Sequence, residues 1–208
     1  MALPDPTEPD PAGSSPATTI RDAATLILIR RDGGPARVLM GQRGAGAAFM
    51  PSKFVFPGGA VDPGDDHPPP LPLSKDCTRR LGGAARAATL IGAARRELAE
   101  ETGLRLAAPR LRFVFRAITP PGRSRRYDAR FLLAEAEGLA GDPEDFSQAS
   151  DELSHLRWLP LAEARTLDLP FVTEIALSEV THLLAGGDQP GVPFFDNSGP
   201  TPRFRRLT

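Results

Sequence analysis

The stretch that most constrains this chain is Ala84–Thr102, AARAATLIGAARRELAEET, followed at once by Gly103. It is rich in strong helix formers, and glycine is the residue that best ends a helix in the left-handed conformation. On a helix each residue advances 100°, so with Glu97 at zero, Glu100 falls at about 300° and Glu101 at about 40°. Three carboxylates therefore share one arc, while Ile91 and Leu98 beside them are placed to pack on a sheet. Like charges at these spacings repel, and more so when partly buried. Arg96 relieves part of the repulsion. A hard divalent cation, Mg²⁺ or Mn²⁺, would relieve more, since carboxylate oxygens are its natural ligands. A solvated acidic face remains the plainer alternative for the run taken alone.

Strands surround this helix. Residues 23–29 read as a buried strand ending at the Asp32-Gly33-Gly34 turn, and 37–43 as its hairpin partner. Phe54-Val55-Phe56 is a short strand stopped by Pro57-Gly58-Gly59. Segments 111–119 and 127–136 read as strands joined at Pro120-Pro121-Gly122, and Leu156-Arg157-Trp158-Leu159 as another. Residues 161–166 and 171–184 read as helices. The mixture of hairpins and crossovers predicts an α+β fold, with a mixed sheet between helices on both faces.

Proline punctuates the rest, at 23 of 208 residues. Five prolines within residues 1–20, among acidic and small residues, predict a disordered tail. Residues 62–83 carry Pro63, Pro68, Pro69, Pro70 and Pro72 and read as a long loop with room for a short helix at 74–81. From Gly186 the chain is Gly/Pro-rich. The expected organisation is a tail over 1–20, one domain over 21–186 with an insertion at about 66–83, and a C-terminal tail over 187–208.

Composition removes several functions. Lys+Arg is 25 and Asp+Glu 26, for a net charge of -1, which disfavours a nucleic-acid partner. A single cysteine, Cys77, excludes an intrachain disulfide and a cysteine-rich zinc site. The N-terminus lacks a basic start and an apolar run, and no stretch reaches about 18 apolar residues. The expectation is a cytoplasmic protein with no membrane partner. His67, His155 and His182 show no ligand spacing, and no P-loop or dinucleotide fingerprint is present.

Arg96, Glu97, Leu98, Glu100, Glu101, Gly103 and Leu104 match in full the second half of the box G-x5-E-x7-R-E-U-x-E-E-x-G-U, where U is a bulky aliphatic. In this the chain resembles the Nudix hydrolase family. Phe56-Pro57-Gly58-Gly59 is similar to the usual entry to the box, and Asp65 stands where the family has Glu. Thirty residues, 66–95, then intervene where the family has seven, so the Pro-rich loop reads as an insertion inside the box. An interrupted box of this kind is similar to the coenzyme A diphosphatase subgroup, whose motif overlies residues 39–59. Leu39, Arg43 and Phe56-Pro57-Gly58-Gly59 agree with it, while Ala48 replaces an Arg and Ser52 a Gly.

The resemblance implies the Nudix fold, an α/β/α sandwich, and a metal-dependent pyrophosphohydrolase acting on a nucleoside diphosphate linked to another moiety. Coenzyme A or acyl-coenzyme A is the expected substrate, with ADP-ribose or a nucleotide sugar next and a non-catalytic nucleotide sensor as the rival class. It implies metal ligation by Glu97, Glu100, Glu101 and the Gly59 carbonyl, and orientation of a box carboxylate by Arg96. Glu97, or the distant loop acid Glu152, would take the proton from water. Arg43, Gly58, Phe49 and Arg126 are the substrate-binding candidates, Phe49 by stacking and Arg126 as part of the basic turn with Arg123 and Arg125. The insertion is open to two roles, a lid over the substrate or the contact of a homodimer.

Overall fold

The computed structural model describes residues 19–66, 73–107 and 110–208; residues 1–18 of the expected tail over 1–20 and part of the expected insertion lie outside them. Strand β1 (Ile20–Arg30) runs through the middle of the molecule. On one side it pairs in parallel with β7 (Arg126–Glu135) over ten residues, Ile20 opposite Arg126 through Ile29 opposite Glu135. Its other edge is divided. Near its end Ile29 and Arg30 pair with β2 (Arg37–Arg43), and near its start Ala23, Ala24 and Thr25 pair with β4 (Gly58–Ala60). Between the two, the Leu26 amide donates to the Pro57 carbonyl at 2.8 Å. The strand partners therefore part in mid-sheet, and Gly58-Gly59 is drawn into the opening.

The remaining strands extend the sheet on both sides. Beyond β7 lie β6 (Arg112–Ile118), β10 (Val192–Asp196) and β11 (Arg203–Leu207); beyond β2 lie β3 (Phe54–Val55) and β9 (Leu153–Pro160). A separate pair joins β5 (Arg105–Leu106) to β8 (Leu139–Ala140). Helices α1 (Lys75–Arg80) and α2 (Ala84–Thr102) precede β5, and α3 (Leu161–Ala164) and α4 (Phe171–Leu184) follow β9.

Strand alternation sorts the core into two layers. Ala24, Leu26 and Leu28 of β1 face α2, where Leu90, Ile91, Ala94 and Leu98 cover them. Ile27 and Ile29 face the other way, against Ala176, Leu177 and Val180 of α4. Helices thus lie on both faces of a mixed sheet, the expected α/β/α arrangement. Each fully buried aliphatic side chain contributes about 1.5–3 kcal/mol by leaving water. Among the described residues no helix is long and apolar enough to cross a membrane.

Helix α2 has the bounds its composition predicts, and Gly103 ends it at φ 76 with its amide on the Ala99 carbonyl. The expected short helix at 74–81 is α1, with the Ser74 hydroxyl accepting from the Cys77 amide at 3.1 Å. The C-terminal segment corrects the sequence reading. Residues 187–208 are not a tail there, because they supply β10 and β11. Val192 and Phe194 are buried, and β10 pairs in parallel with β6 at Phe194 and Phe195. The Gly/Pro-rich run before them is only the connection, and three arginines, Arg203, Arg205 and Arg206, hide the alternation of β11. Strand β4 was also not expected: three small residues carry no strand signal, and only pairing with β1 makes them one.

Gly92 lies in mid-helix, where glycine costs about 1 kcal/mol relative to alanine. Its reason is close approach, since a Cβ there would stand 2.1 Å from the Asp65 carbonyl oxygen in the 3-10 turn Pro63–Asp66. Gly92→Ala is expected to destabilise the protein by about 1–3 kcal/mol despite its better helix propensity, through overpacking, as read by denaturant unfolding.

Candidate active site

Helix α2 turns its carboxylates from the core outward: Glu101 is 2% exposed, Glu97 is largely buried and Glu100 is exposed. The geometric arc is therefore also a gradient of burial. Glu101 accepts from the Gly58 amide at 2.8 Å. Gly59 lies against Glu97, and a Cβ there would fall 2.3 Å from its Oε1. The two glycines thus let the backbone reach the carboxylates themselves, and the Gly58 amide is committed to Glu101.

Arg96 holds the outer part of the cluster. Its Nε and Nη2 donate to the two oxygens of Asp65, each at 3.0 Å, in a bidentate pair. Nη2 also donates to the Ala60 carbonyl at 2.9 Å, and Nη1 to Glu97 at 2.9 Å and Glu100 at 3.1 Å. One guanidinium therefore joins the 3-10 turn, β4 and two box carboxylates, a fork geometry that lysine lacks. Asp65 is 5% exposed. Burial pushes its carboxyl up, but the Arg96 hydrogen bonds and the Asp62 amide outweigh this and hold it below its ordinary value. It is the anchor of Arg96, a role the sequence points to only through the place of Asp65 in the box.

Glu152 comes from the loop before β9. The Ser150 amide donates to the Glu100 carbonyl at 2.9 Å, which docks that loop on the end of α2. Glu152 in turn accepts from Arg43 Nη2 at 3.1 Å. The resulting charge is strongly one-sided. Burial pushes Glu97 up, against the opposing hydrogen bond and charge of Arg96, with Glu100 and Glu152 adding to the rise. Burial likewise raises Glu101 to about 8, against the Gly58 amide, with Glu97 and Glu152 again adding. Arg96 and Arg43 do not balance the buried negative charge.

A divalent cation fits this donor set in chemistry: hard oxygens, two of them on carboxylates that the fold makes costly to ionise. Among the described residues no group of three or more His, Cys, Asp or Glu side chains stands in metal-holding geometry, and Glu97 and Glu100 both accept from Arg96.

The other expected site residues separate. Phe49 sits edge-on to Tyr127, ring centroids 5.3 Å apart, and its carbonyl accepts from Arg43 Nε at 2.9 Å. Phe49, Arg43 and Glu152 thus form one connected group, to which Tyr127 belongs although nothing in the sequence marks it. Arg126 does not join them. It is buried, and its Nε and Nη2 donate to the Thr119 and Ser198 carbonyls at 3.2 and 2.9 Å. The guanidinium expected to grip substrate braces the sheet, because position 126 lies inside β7 rather than in the basic turn.

Residues 81–179 match the family model described as the NUDIX domain. Among solved structures, the chain is similar to a NUDIX hydrolase from Alicyclobacillus acidocaldarius, with 25% identity, TM-score 0.59, and 77% of this chain and 90% of that one covered. It is similar to a MutT NUDIX hydrolase from Burkholderia pseudomallei, with 25% identity, TM-score 0.51, and coverage of 78% and 98%. The NUDIX domain of Shewanella oneidensis NrtR, complexed with ADP ribose, shares the fold at 15% identity and TM-score 0.55, with coverage of 84% and 93%. No curated protein matches the chain. The chain carries a NUDIX domain on the Nudix fold. That domain, with the NUDIX hydrolases it is similar to, supports a pyrophosphatase enzyme acting on nucleoside diphosphate derivatives.

Proposed function

We propose that this enzyme is a metal-dependent pyrophosphohydrolase whose substrate is coenzyme A or an acyl derivative of it. The observation that carries the metal-dependent reading is the gathering of Glu97 and Glu101 against Gly58-Gly59, with burial first and neighbouring carboxylates next pushing both carboxyls up. Glu97, Glu100, Glu101 and the Gly59 carbonyl are the groups that would hold Mg²⁺ or Mn²⁺. Such a cation, when bound, neutralises phosphate charge and eases deprotonation of water.

The chain's own residues supply the rest. Arg96, anchored on Asp65, orients the Glu97 and Glu100 carboxylates. Glu152 is 54% exposed on its side chain and lies outside the ligand set, so it is the carboxylate placed to take a proton from water. Water oxygen bonds to one phosphorus of the diphosphate, the bridging P–O bond breaks, and the leaving phosphate departs with its electron pair. The water proton passes to Glu152. Phe49 supplies an aromatic face for the base.

The coenzyme A reading draws on the Leu39, Arg43 and Phe56-Pro57-Gly58-Gly59 matches and on one backbone feature. Ser52, which replaces the motif's glycine, has φ 59, so the chain keeps there a conformation that favours glycine. ADP-ribose is the second reading, favoured by the ADP ribose bound to the similar NrtR domain.

Incubation with Mg²⁺ or Mn²⁺ and, separately, coenzyme A, ADP-ribose, a dinucleoside polyphosphate and NADH, with products resolved by mass, tests both. The expected products are phosphopantetheine and adenosine 3′,5′-bisphosphate. Turnover of ADP-ribose with coenzyme A untouched removes the first reading, and nucleotide binding without turnover of any substrate points to a sensor.

A further inference from the structure

Arg43 closes β2 opposite Leu153 of β9, next in sequence to Glu152. Its guanidinium serves two masters. Nε donates to the Phe49 carbonyl at 2.9 Å and Nη2 to Glu152 Oε1 at 3.1 Å, while its main-chain amide donates to the Lys53 carbonyl at 2.9 Å. The side chain is only 16% exposed. The loop it braces, residues 44–53, is held in an unusual form. Met50 and Ser52 have φ 52 and 59, left-handed values that non-glycine residues adopt at a cost. The Gln42 side-chain amide bonds the Ser52 carbonyl at 2.9 Å, and the Phe49 ring abuts Tyr127. A strained loop persists only where its surroundings over-determine it, and Arg43 is one of the ties that do so.

We propose that Arg43 is a positioning residue rather than a substrate grip, one guanidinium fixing the Phe49 loop and the Glu152 carboxylate relative to each other. The aromatic face for the nucleoside and the acceptor for the water proton are then set by a single side chain. The roles of Phe49 and Glu152 rest on the function proposed above. A planar fork with separate donors spans both partners, whereas the ammonium of lysine is a single point.

Double-mutant kinetics on coenzyme A and ADP-ribose test this, with Arg43→Lys and Arg43→Gln each made alone and combined with Glu152→Gln or Phe49→Ala. Each Arg43 variant is expected to lower kcat at least tenfold alone but less than twofold in the Glu152→Gln background. It is expected to raise KM at least threefold alone but less than twofold beside Phe49→Ala. Losses that multiply in full in both backgrounds would show direct contact with substrate and overturn the proposal. Full rescue by Arg43→Lys would also overturn it, since charge alone would then suffice. Amide hydrogen exchange reads the bridge without substrate: Arg43→Gln should speed exchange in both 44–53 and 150–153, and unchanged rates overturn the proposal. An enzyme that turns over neither substrate, or a Glu152→Gln variant with full kcat, counts against the proposed function, and exchange then decides the bridge by itself.

Discussion

Glu101→Gln is expected to cut turnover at least a hundredfold while leaving the protein as stable as before, or more stable, at pH 8. The side chain is 2% exposed and accepts the Gly58 amide at 2.8 Å, a bond that the glutamine carbonyl retains. What disappears is a buried charge beside Glu97 and Glu152. Glu101 holds its proton in the folded chain up to about pH 8, against an ordinary value of 4.5. Between those values the folded state binds more protons than the unfolded one, so stability is greatest below 4.5 and falls as pH rises through the window. The fall is as much as about 5 kcal/mol in metal-free protein. Thermal unfolding from pH 5 to 8 should show this slope in the parent protein and a flatter one in Glu101→Gln. Added Mg²⁺ or Mn²⁺ should raise the parent's Tm more at pH 8 than at pH 6, because a cation stabilises the state that binds it. Equal Tm gains in parent and variant would contradict Glu101 as a ligand.

The second large effect concerns stability and activity together. Asp65→Ala is expected to destabilise the protein by about 2–3 kcal/mol and to cost ten- to a hundredfold in kcat. Removing one member of a buried ion pair leaves the other uncompensated, and here Arg96 loses two hydrogen bonds at 3.0 Å. Arg96 would still reach Glu97 and Glu100, but without the fixed point that sets their direction. Because Arg96 holds the Asp65 carboxyl below its ordinary 3.8, the contribution of Asp65 is complete above that value and is lost as pH falls further. Acid unfolding should therefore be steeper in the parent than in Asp65→Ala. A variant with parent stability and kcat would show that Arg96 does not depend on this anchor.

Asp65 also shows how far the sequence could be read. Its position in the box identified it as an acid near the site, yet nothing in the string says that the carboxylate faces Arg96. Glu97, Glu100 and Glu101 were legible because helical spacing alone gathers them. Their division into buried and exposed members was not, since that depends on how deeply α2 seats on β1 and β4. The burial of Arg126 was not legible for the same reason: it shows only once β7 begins at that residue and its guanidinium reaches the Thr119 and Ser198 carbonyls. The C-terminal strands were missed because five-residue strands with proline and arginine carry almost no periodic signal, and their stability comes from β6.

The sequence by itself determined the helix Ala84–Thr102, the glycine that stops it, the arc of three carboxylates and the run of buried strand 23–29. All of these follow from local periodicity, which is a property of neighbouring residues. Only the tertiary structure decided that the partners of β1 separate to admit Gly58-Gly59, that Asp65 fastens Arg96 across 31 residues of sequence, and that Arg43 joins a strained loop to Glu152 across 109. Those contacts arise from the way the elements pack against one another, and no spacing along the chain encodes them.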